Sequence, residues 1–235
     1  YPILGSQARD AKEKMVYFGP WETYFLVAEA LERQWVTPGE VGGFTAEKAY
    51  NKAVELSFIH FGVSQYYSTY ITSTDYNRVG TSVAYNHTTP ASTVTMKYVD
   101  GYTDQEGTVQ YQYPDGTRTL YGNQLNDHLS KIFTQKYIAQ LPYLVQECWS
   151  DYRRVGLPFF DIIANEKMMT GTDMTEWDPE SWKSGQKWQY YPQRMRYPTT
   201  LDNANPTEYK HALELLGGAN TTMVPLWWSL AYSQK

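Results

Sequence analysis

Cysteine is almost absent from this sequence, which has one, Cys148, among 235 residues. A single thiol rules out an internal disulfide framework and any zinc site built from several cysteines. Cys148 falls on the apolar face of a predicted helix together with Val145, Trp149 and Tyr152. That position predicts a small buried hydrophobic residue rather than a reactive thiol.

Charge is also sparse, since charged residues make up 19% of the chain. Acidic residues outnumber basic ones by 25 to 20, which gives a net charge of -5 and a pI near 5.4. Nucleic-acid binding depends on concentrated Lys and Arg, so we predict no nucleic-acid partner. No apolar run approaches the roughly 20 residues that a membrane-spanning helix requires.

Motifs of the common enzyme classes are missing too, including HExxH, GxSxG, GxxxxGK[ST] and GxGxxG. The four histidines are scattered along the chain, at His60, His87, His128 and His211. We therefore predict no catalytic residue, no metal site and no cofactor. The segment "EWDPESW" contains three acids, Glu176, Asp178 and Glu180, and could suggest a glycoside hydrolase. A glycosidase, however, needs two carboxyl groups on opposite sides of the scissile bond, and acids close together on one loop are a poor match to that geometry.

Aromatic residues, by contrast, are abundant at 16% of the chain, with 22 Tyr and 8 Trp. Sugar C–H faces stack on such rings, and peptides can lie against the same surfaces. Two clusters on predicted loops are therefore candidate ligand-binding residues: Tyr66, Tyr67, Tyr70 and Tyr76 in the first, and Trp177, Trp182, Trp188 and Tyr190 in the second. The alternative is that these rings pack irregular segments onto the helices.

Helical periodicity predicts a helical hairpin early in the chain. Residues 21–35 carry one apolar stripe, formed by Tyr24, Val27, Ala28, Leu31 and Trp35. Thr45 can cap a second helix, and Gly62 can end it. The pair is typical of tetratricopeptide-like repeats, although its connecting loop is longer than in the standard repeat.

Residues 65–123 predict a long insertion between helices, because Tyr, Thr, Ser and Gly replace the helical stripes there. The segment "YPDGT" at 113–117 predicts a turn between "TVQYQY" and "TRTLY", so the insertion is expected to contain one or two β-hairpins.

Further helices are predicted on either side of Pro142 and after Asn205. The first pair ends at Gly156, after Arg153 and Arg154, which we expect to anchor the helix end through ion pairs rather than to bind an anion. The last helix starts at the Asn205 cap and stops at Gly217, and the residues before it are irregular.

Five segments occur in a recognisable order between about 18 and 228: "YFLVAEALERQW", "AYNKAVELSFIHFGV", "KIFTQKYIAQLPYLVQECWSDYRRVGLP", "PQRMRYPTTLDNAN" and "LLGGANTTMVPLWW". Together they resemble the C-terminal portion of the SusD/RagB family of outer-membrane nutrient-binding lipoproteins of Bacteroidetes. The resemblance implies that residues 1–235 are the C-terminal part of one SusD-like domain. Its expected fold is mainly α, a superhelix of tetratricopeptide-like helix pairs with a loop and β-hairpin insertion at about 65–123 and an irregular C-terminal cover.

The resemblance also implies a function. Such a protein binds an oligosaccharide or peptide at the cell surface, passes it to a SusC-like TonB-dependent transporter, and has no catalytic activity. It is held at the outer membrane by a lipid anchor, which is expected to lie outside this chain. Alternatives from other classes are a surface glycoside hydrolase and a helical-repeat interaction module. The resemblance implies no ligand-binding residue, so the two aromatic clusters remain the predicted site.

Overall fold

The computed structural model of the protein describes Lys12 and residues 16–77, 79–99, 103–112, 124–160, 193–222, 224 and 226–228. The predicted turn at 113–117 lies outside these residues. So does the whole second aromatic cluster, Trp177, Trp182, Trp188 and Tyr190.

Helices dominate the described part of the chain. In order, the elements are α1 (Pro20–Glu32), α2 (Ala46–His60), α3 (Tyr67–Ile71), β1 (Thr93–Val99), β2 (Glu106–Gln112), α4 (His128–Gln140), α5 (Val145–Val155), α6 (Thr200–Ala204) and α7 (Pro206–Leu215). Short 3₁₀ turns occupy Pro38–Val41 and Ser64–Tyr66. The prediction of a mainly α fold with a hairpin insertion is confirmed.

Helices α1 and α2 form the predicted hairpin. The Thr45 hydroxyl accepts a hydrogen bond from the Lys48 backbone N–H at 3.3 Å, which caps α2 as its sequence indicates. Ala28, Ala49 and Ala53 are fully buried, and their small side chains let the two backbones approach closely. The predicted stripe was wrong at its end, because α1 stops at Glu32 and Trp35 lies beyond it with 59% of its surface exposed.

Helices α4 and α5 complete the core. The Asp127 carboxylate accepts from the Ser130 backbone N–H at 2.6 Å and caps α4, and Gly156 ends α5 in the left-handed conformation with φ 70°. Cys148 is buried, and its thiol donates to Oε1 of Gln140 at 3.0 Å. The prediction of a buried hydrophobic Cys148 is confirmed, but Val145, expected on the same buried face, is the first residue of the helix and is 52% exposed.

The insertion contains an antiparallel hairpin in which Thr93 pairs with Gln112 and Val99 with Glu106. A β-hairpin in the insertion is therefore confirmed, but the strand that pairs with β2 is not the one that was predicted. The segment "TVQYQ" pairs with the upstream strand β1, and the expected partner "TRTLY" lies outside the described residues.

The C-terminal helix α7 begins as predicted, since the Asn205 side chain accepts from the Glu208 backbone N–H at 3.4 Å. Gly217, with φ 92°, follows its end. Asn220 then ties this region back to residue 197, because its amide oxygen accepts from the Tyr197 N–H and its amide nitrogen donates to the Tyr197 carbonyl, both at 2.9 Å.

Candidate functional site

The first aromatic cluster lies where α2 ends and α3 begins. Tyr66, Tyr67 and Tyr70 are brought together there by the 3₁₀ turn and the single helical stretch of α3. Tyr66 is 63% exposed and so presents its ring to solvent. Of the three rings, it is the one most available to stack on a ligand.

Tyr67 and Tyr70 serve mainly as packing residues. Their rings lie 5.9 and 4.9 Å from the ring of Phe58 on α2. The Tyr67 hydroxyl donates to the backbone carbonyl of Asn51, and the Tyr70 hydroxyl donates to Oε1 of Gln135, each at 3.0 Å. Burial raises the pKa of both hydroxyls, so they remain protonated donors at neutral pH. Both side chains are partly buried, in contrast to Tyr66.

Tyr76 lies apart from these three rings. It packs against a separate core cluster that contains Leu125 and Phe133, whereas Tyr67 and Tyr70 pack against the core of α1 and α2. Its hydroxyl donates to the Thr89 carbonyl at 3.0 Å, and its ring is 5.4 Å from that of His87. The structure therefore joins three of the four described cluster residues and separates the fourth.

A groove between α1, α4 and α5 was not predicted from the sequence. It has a volume of about 590 Å³, within the usual range for ligand sites. Its apolar lining consists of Tyr17, Phe18, Leu26, Trp35 and Leu144. Its charged lining consists of Glu22, Glu29, Lys136, Glu147, Asp151 and Arg154. We call this feature the α1–α5 groove.

The floor of the α1–α5 groove is an ion-pair network. The Arg154 guanidinium makes two hydrogen bonds of 2.7 Å to the two carboxylate oxygens of Glu29, and a third, of 3.1 Å, to Oδ1 of Asp151. Lys136 Nζ lies 2.6 Å from Oδ2 of Asp151 and 3.4 Å from Oε2 of Glu22. The prediction that Arg154 anchors the end of its helix through buried ion pairing is confirmed, and α1 supplies the partner.

The two buried glutamates of this floor respond differently to their surroundings. Burial raises the pKa of Glu22, and the nearby Lys136 only partly offsets that effect. Burial acts in the same sense on Glu29, but the hydrogen bonds and charges of Arg154 and Arg33 outweigh it and lower the pKa of this carboxyl. Glu29 is therefore firmly ionised at neutral pH.

Lys131 holds the insertion to α4. Its fully buried ammonium donates to the Ser82 carbonyl at 2.9 Å, to the Ser82 hydroxyl at 2.7 Å and to Oδ1 of Asn126 at 2.7 Å. The Asn126 amide nitrogen in turn donates to the His87 and Thr89 carbonyls. Burial lowers the pKa of Lys131 to about 8, so its protonation is sensitive to mildly alkaline pH.

Within the described ranges of the chain, no group of three or more His, Cys, Asp or Glu side chains is arranged to hold a metal ion. None of the described helices is both long and apolar enough to cross a membrane.

Paired helices and an inserted hairpin define the class, a mainly α protein with a tetratricopeptide-like fold. A family model described as Susd and RagB outer membrane lipoprotein matches residues 3–229, almost the whole chain. The protein therefore belongs to the SusD-like family, and the predicted family is confirmed. That description also supports an outer-membrane location.

Solved structures agree with this assignment. A SusD homolog from Parabacteroides distasonis shares 30% sequence identity with the chain, with a TM-score of 0.62. The match covers 92% of this chain and 33% of that one, so the chain spans about a third of the homolog's length. A chitin-binding SusD homolog from Flavobacterium johnsoniae has the same fold, with a TM-score of 0.52 at 24% identity, over 88% of this chain and 35% of its own. No curated protein sequence matches the chain.

Proposed function

We propose that this chain is part of a non-catalytic glycan-binding lipoprotein at the cell surface, which delivers its ligand to a SusC-like TonB-dependent transporter. The observation that carries the proposal is the family match over residues 3–229. The chitin-binding relative from Flavobacterium johnsoniae supports a glycan as the ligand class. The catalytic alternative, a surface glycoside hydrolase, gains no support from the described residues.

The exposed Tyr66 ring supports a binding surface at the start of the insertion. Tyr67 and Tyr70, which follow Tyr66 in the chain, anchor the backbone on its C-terminal side through their hydroxyl hydrogen bonds to residues 51 and 135. A ring held on a rigid support loses little entropy when a sugar stacks on it, which favours binding. Trp177, Trp182, Trp188 and Tyr190 remain proposed ligand contacts from the second cluster, and Tyr76 remains one from the first.

The test is isothermal titration with chitin, starch and xylan oligosaccharides, with product analysis of the same samples by mass spectrometry. Saturable binding of an intact oligosaccharide is expected. If one ring stacks on the sugar, Tyr66→Ala weakens binding by about 1 kcal/mol, roughly fivefold. Leu215→Ala is the control, because Leu215 is 76% exposed on α7 and belongs to neither cluster.

The second cluster is tested by the double variant Trp177→Ala/Trp182→Ala under the same conditions. Unchanged affinity in this variant would remove the late loop from the site, and unchanged affinity in Tyr66→Ala would remove the described surface. Shortened oligosaccharides in the product analysis would overturn the non-catalytic proposal itself.

A further inference from the structure

Residues 79–84, which we call the strap, lie beside α4 and contain neither helix nor strand. The buried residues of the strap are small, namely Gly80, Thr81 and Ser82. Small side chains remove little apolar area from water, and Val79 adds one partly buried contact to the apolar cluster around Leu125. Hydrogen bonds therefore supply much of the free energy that keeps the strap in place.

Side chains from outside the strap satisfy part of its backbone. The Ser82 N–H donates to Oδ1 of Asn126 at 2.8 Å. The Val83 carbonyl accepts from the Tyr50 hydroxyl on α2, also at 2.8 Å. Asn126 is fully buried and has a left-handed backbone with φ 63°. A buried backbone group that loses such a partner must turn to water, so these contacts favour the closed strap.

A further contact of the strap is the buried ammonium of Lys131. It donates to the Ser82 carbonyl, the Ser82 hydroxyl and Oδ1 of Asn126 at 2.7–2.9 Å, and all three acceptors are neutral. The Asp127 carboxylate acts on Lys131 only at longer range, and its own oxygens accept from two backbone N–H groups. A cation buried among neutral oxygens is disfavoured relative to the same cation in water. Opening of the strap would let water reach this ammonium and would remove that cost.

We propose that the strap is a conformational latch that opens locally while the helices stay folded, with Asn126 holding it closed and Lys131 making its opening proton-dependent. The strap lies between the first aromatic cluster and β1 along the chain, so its opening loosens the insertion where it meets the helices. The other titratable groups that face this contact are Asp127 at the start of α4, His87 beside the Ser82 hydroxyl, and Tyr50 on α2.

The direction of the pH dependence follows from burial. Burial lowers the pKa of Lys131 to about 8 in the closed strap, and contact with water returns it toward 10.5. Between these pH values opening takes up a proton, so the open fraction falls as pH rises, by at most about tenfold per pH unit.

Native-state hydrogen exchange tests whether the strap opens by itself. The reporters are the backbone N–H groups of Thr81 and Ala84, which donate to Asn77 and Ser73 and not to Asn126. Exchange is followed at pH 7 by mass spectrometry of peptides that span the strap, at urea concentrations below those that unfold the protein. A local opening exposes little surface, so strap exchange should hardly depend on urea, whereas exchange of buried amides in α2 should rise steeply. Equal rates and equal urea dependence in the strap and α2 would overturn the proposal.

Asn126→Gly tests the latch, because glycine adopts the left-handed backbone of this position freely and only the side chain is lost. Strap exchange should rise about tenfold or more, since the Ser82 N–H and Lys131 both lose a partner. Gln34→Gly is the matched control, because Gln34 is exposed and has φ 58°, and it should leave strap exchange unchanged. Unchanged exchange in Asn126→Gly would exclude Asn126 as the latch.

A pH series tests the proton coupling. Exchange of an open amide is proportional to hydroxide concentration, so an opening without proton uptake gives a rate that rises in the same proportion. In the wild type, strap exchange should rise much less steeply between pH about 8 and 10.5, because the open fraction falls. Lys131→Met should show the full rise, whereas Lys52→Met, which removes an exposed ammonium, should keep the wild-type slope.

A full rise in the wild type, or identical slopes in the wild type and Lys131→Met, would contradict the role of Lys131. Circular dichroism verifies that each variant keeps its fold, and the wild-type series decides the question if Lys131→Met does not fold. None of these measurements uses a glycan, so the proposed function and this inference can fail separately.

Discussion

The ion pair between Arg154 and Glu29 joins residues 125 positions apart in the chain and ties α5 to α1. Replacing Arg154 by Met keeps much of the side-chain volume but leaves the Glu29 carboxylate, 5% exposed, with Arg33 as its remaining cation. Breaking a buried pair from one side costs about 3–5 kcal/mol. Because the Arg154 side chain is 26% exposed, we expect the lower end, about 3 kcal/mol.

A loss of that size should be plain in thermal and chemical unfolding. For a chain of this length, about 1 kcal/mol corresponds to roughly 2–4 °C, so Tm should fall by about 6–12 °C in Arg154→Met. Lys52→Met is the matched control, since Lys52 pairs with Glu55 on the surface, where the two side chains are 39% and 40% exposed. That substitution should change the stability by less than about 1 kcal/mol.

A double-mutant cycle separates the pair from other effects of the substitution. Arg154→Met/Glu29→Leu removes both charges, so no buried charge is left without its partner. The double variant should be less destabilised than the sum of the single variants by at least about 1 kcal/mol. Additive losses, or a single-variant loss no larger than that of Lys52→Met, would refute the assignment of this pair as the main tie between α1 and α5.

Three further predictions concern pH and backbone conformation. Burial raises the pKa of Glu22 in the folded protein above 4.5, so the free energy of unfolding falls as pH rises from 4.5 to that folded-state pKa. In urea unfolding, the stability of Glu22→Gln should therefore increase relative to that of the wild type over this pH range. Parallel curves of stability against pH would contradict the prediction. Burial lowers the pKa of Lys131 in the folded protein from 10.5 to about 8, so between these pH values the unfolded chain binds one more proton than the folded one and the free energy of unfolding rises with pH. Lys131→Met should lack that rise. An identical slope of stability against pH in both proteins would contradict the buried ammonium. An added Cβ meets nothing within 4 Å at Gly62, which has φ 69°, or at Gly39, which lies in the Pro38–Val41 turn. Gly62→Ala should therefore lower the free energy of unfolding by about 1 kcal/mol through backbone strain alone, whereas Gly39→Ala should be nearly neutral in the same assay. Equal effects of the two substitutions would contradict this.

Helices α2, α4, α5 and α7 could be predicted because the responsible signals are local, whereas the end of α1 and the short helices α3 and α6 were not predicted. The caps at Thr45 and Asn205 and the left-handed stop at Gly156 each depend on residues within a few positions. The family resemblance is likewise carried by contiguous segments, and the family match over residues 3–229 confirms it.

The different exposure of the tyrosines in the first aromatic cluster could not be predicted from local sequence signals. Tyr66, Tyr67 and Tyr70 are chemically alike in the sequence, and their different exposure is decided by Phe58 and Gln135, which come from other helices. Periodicity is no guide in a segment of one short turn and a five-residue helix.

The α1–α5 groove could not be predicted for a related reason. Its lining runs from residue 17 to residue 154 and exists only after α1 has packed against α4 and α4 against α5. The one local hint was Trp35, which continues the apolar stripe of α1 beyond the end of that helix. The partner of Arg154 was equally hidden, because the choice of Glu29 depends on the crossing of two helices.

Adsorption to insoluble polysaccharide is the measurement that tests the central proposal most directly. The protein is incubated with chitin, starch granules and xylan in turn, its depletion from solution is measured as a function of concentration, and soluble reducing sugar is assayed in the same supernatants. The proposed glycan-binding function predicts saturable depletion on at least one of these polymers without any release of reducing sugar. Absence of depletion on all three, or release of reducing sugar during incubation, would contradict it.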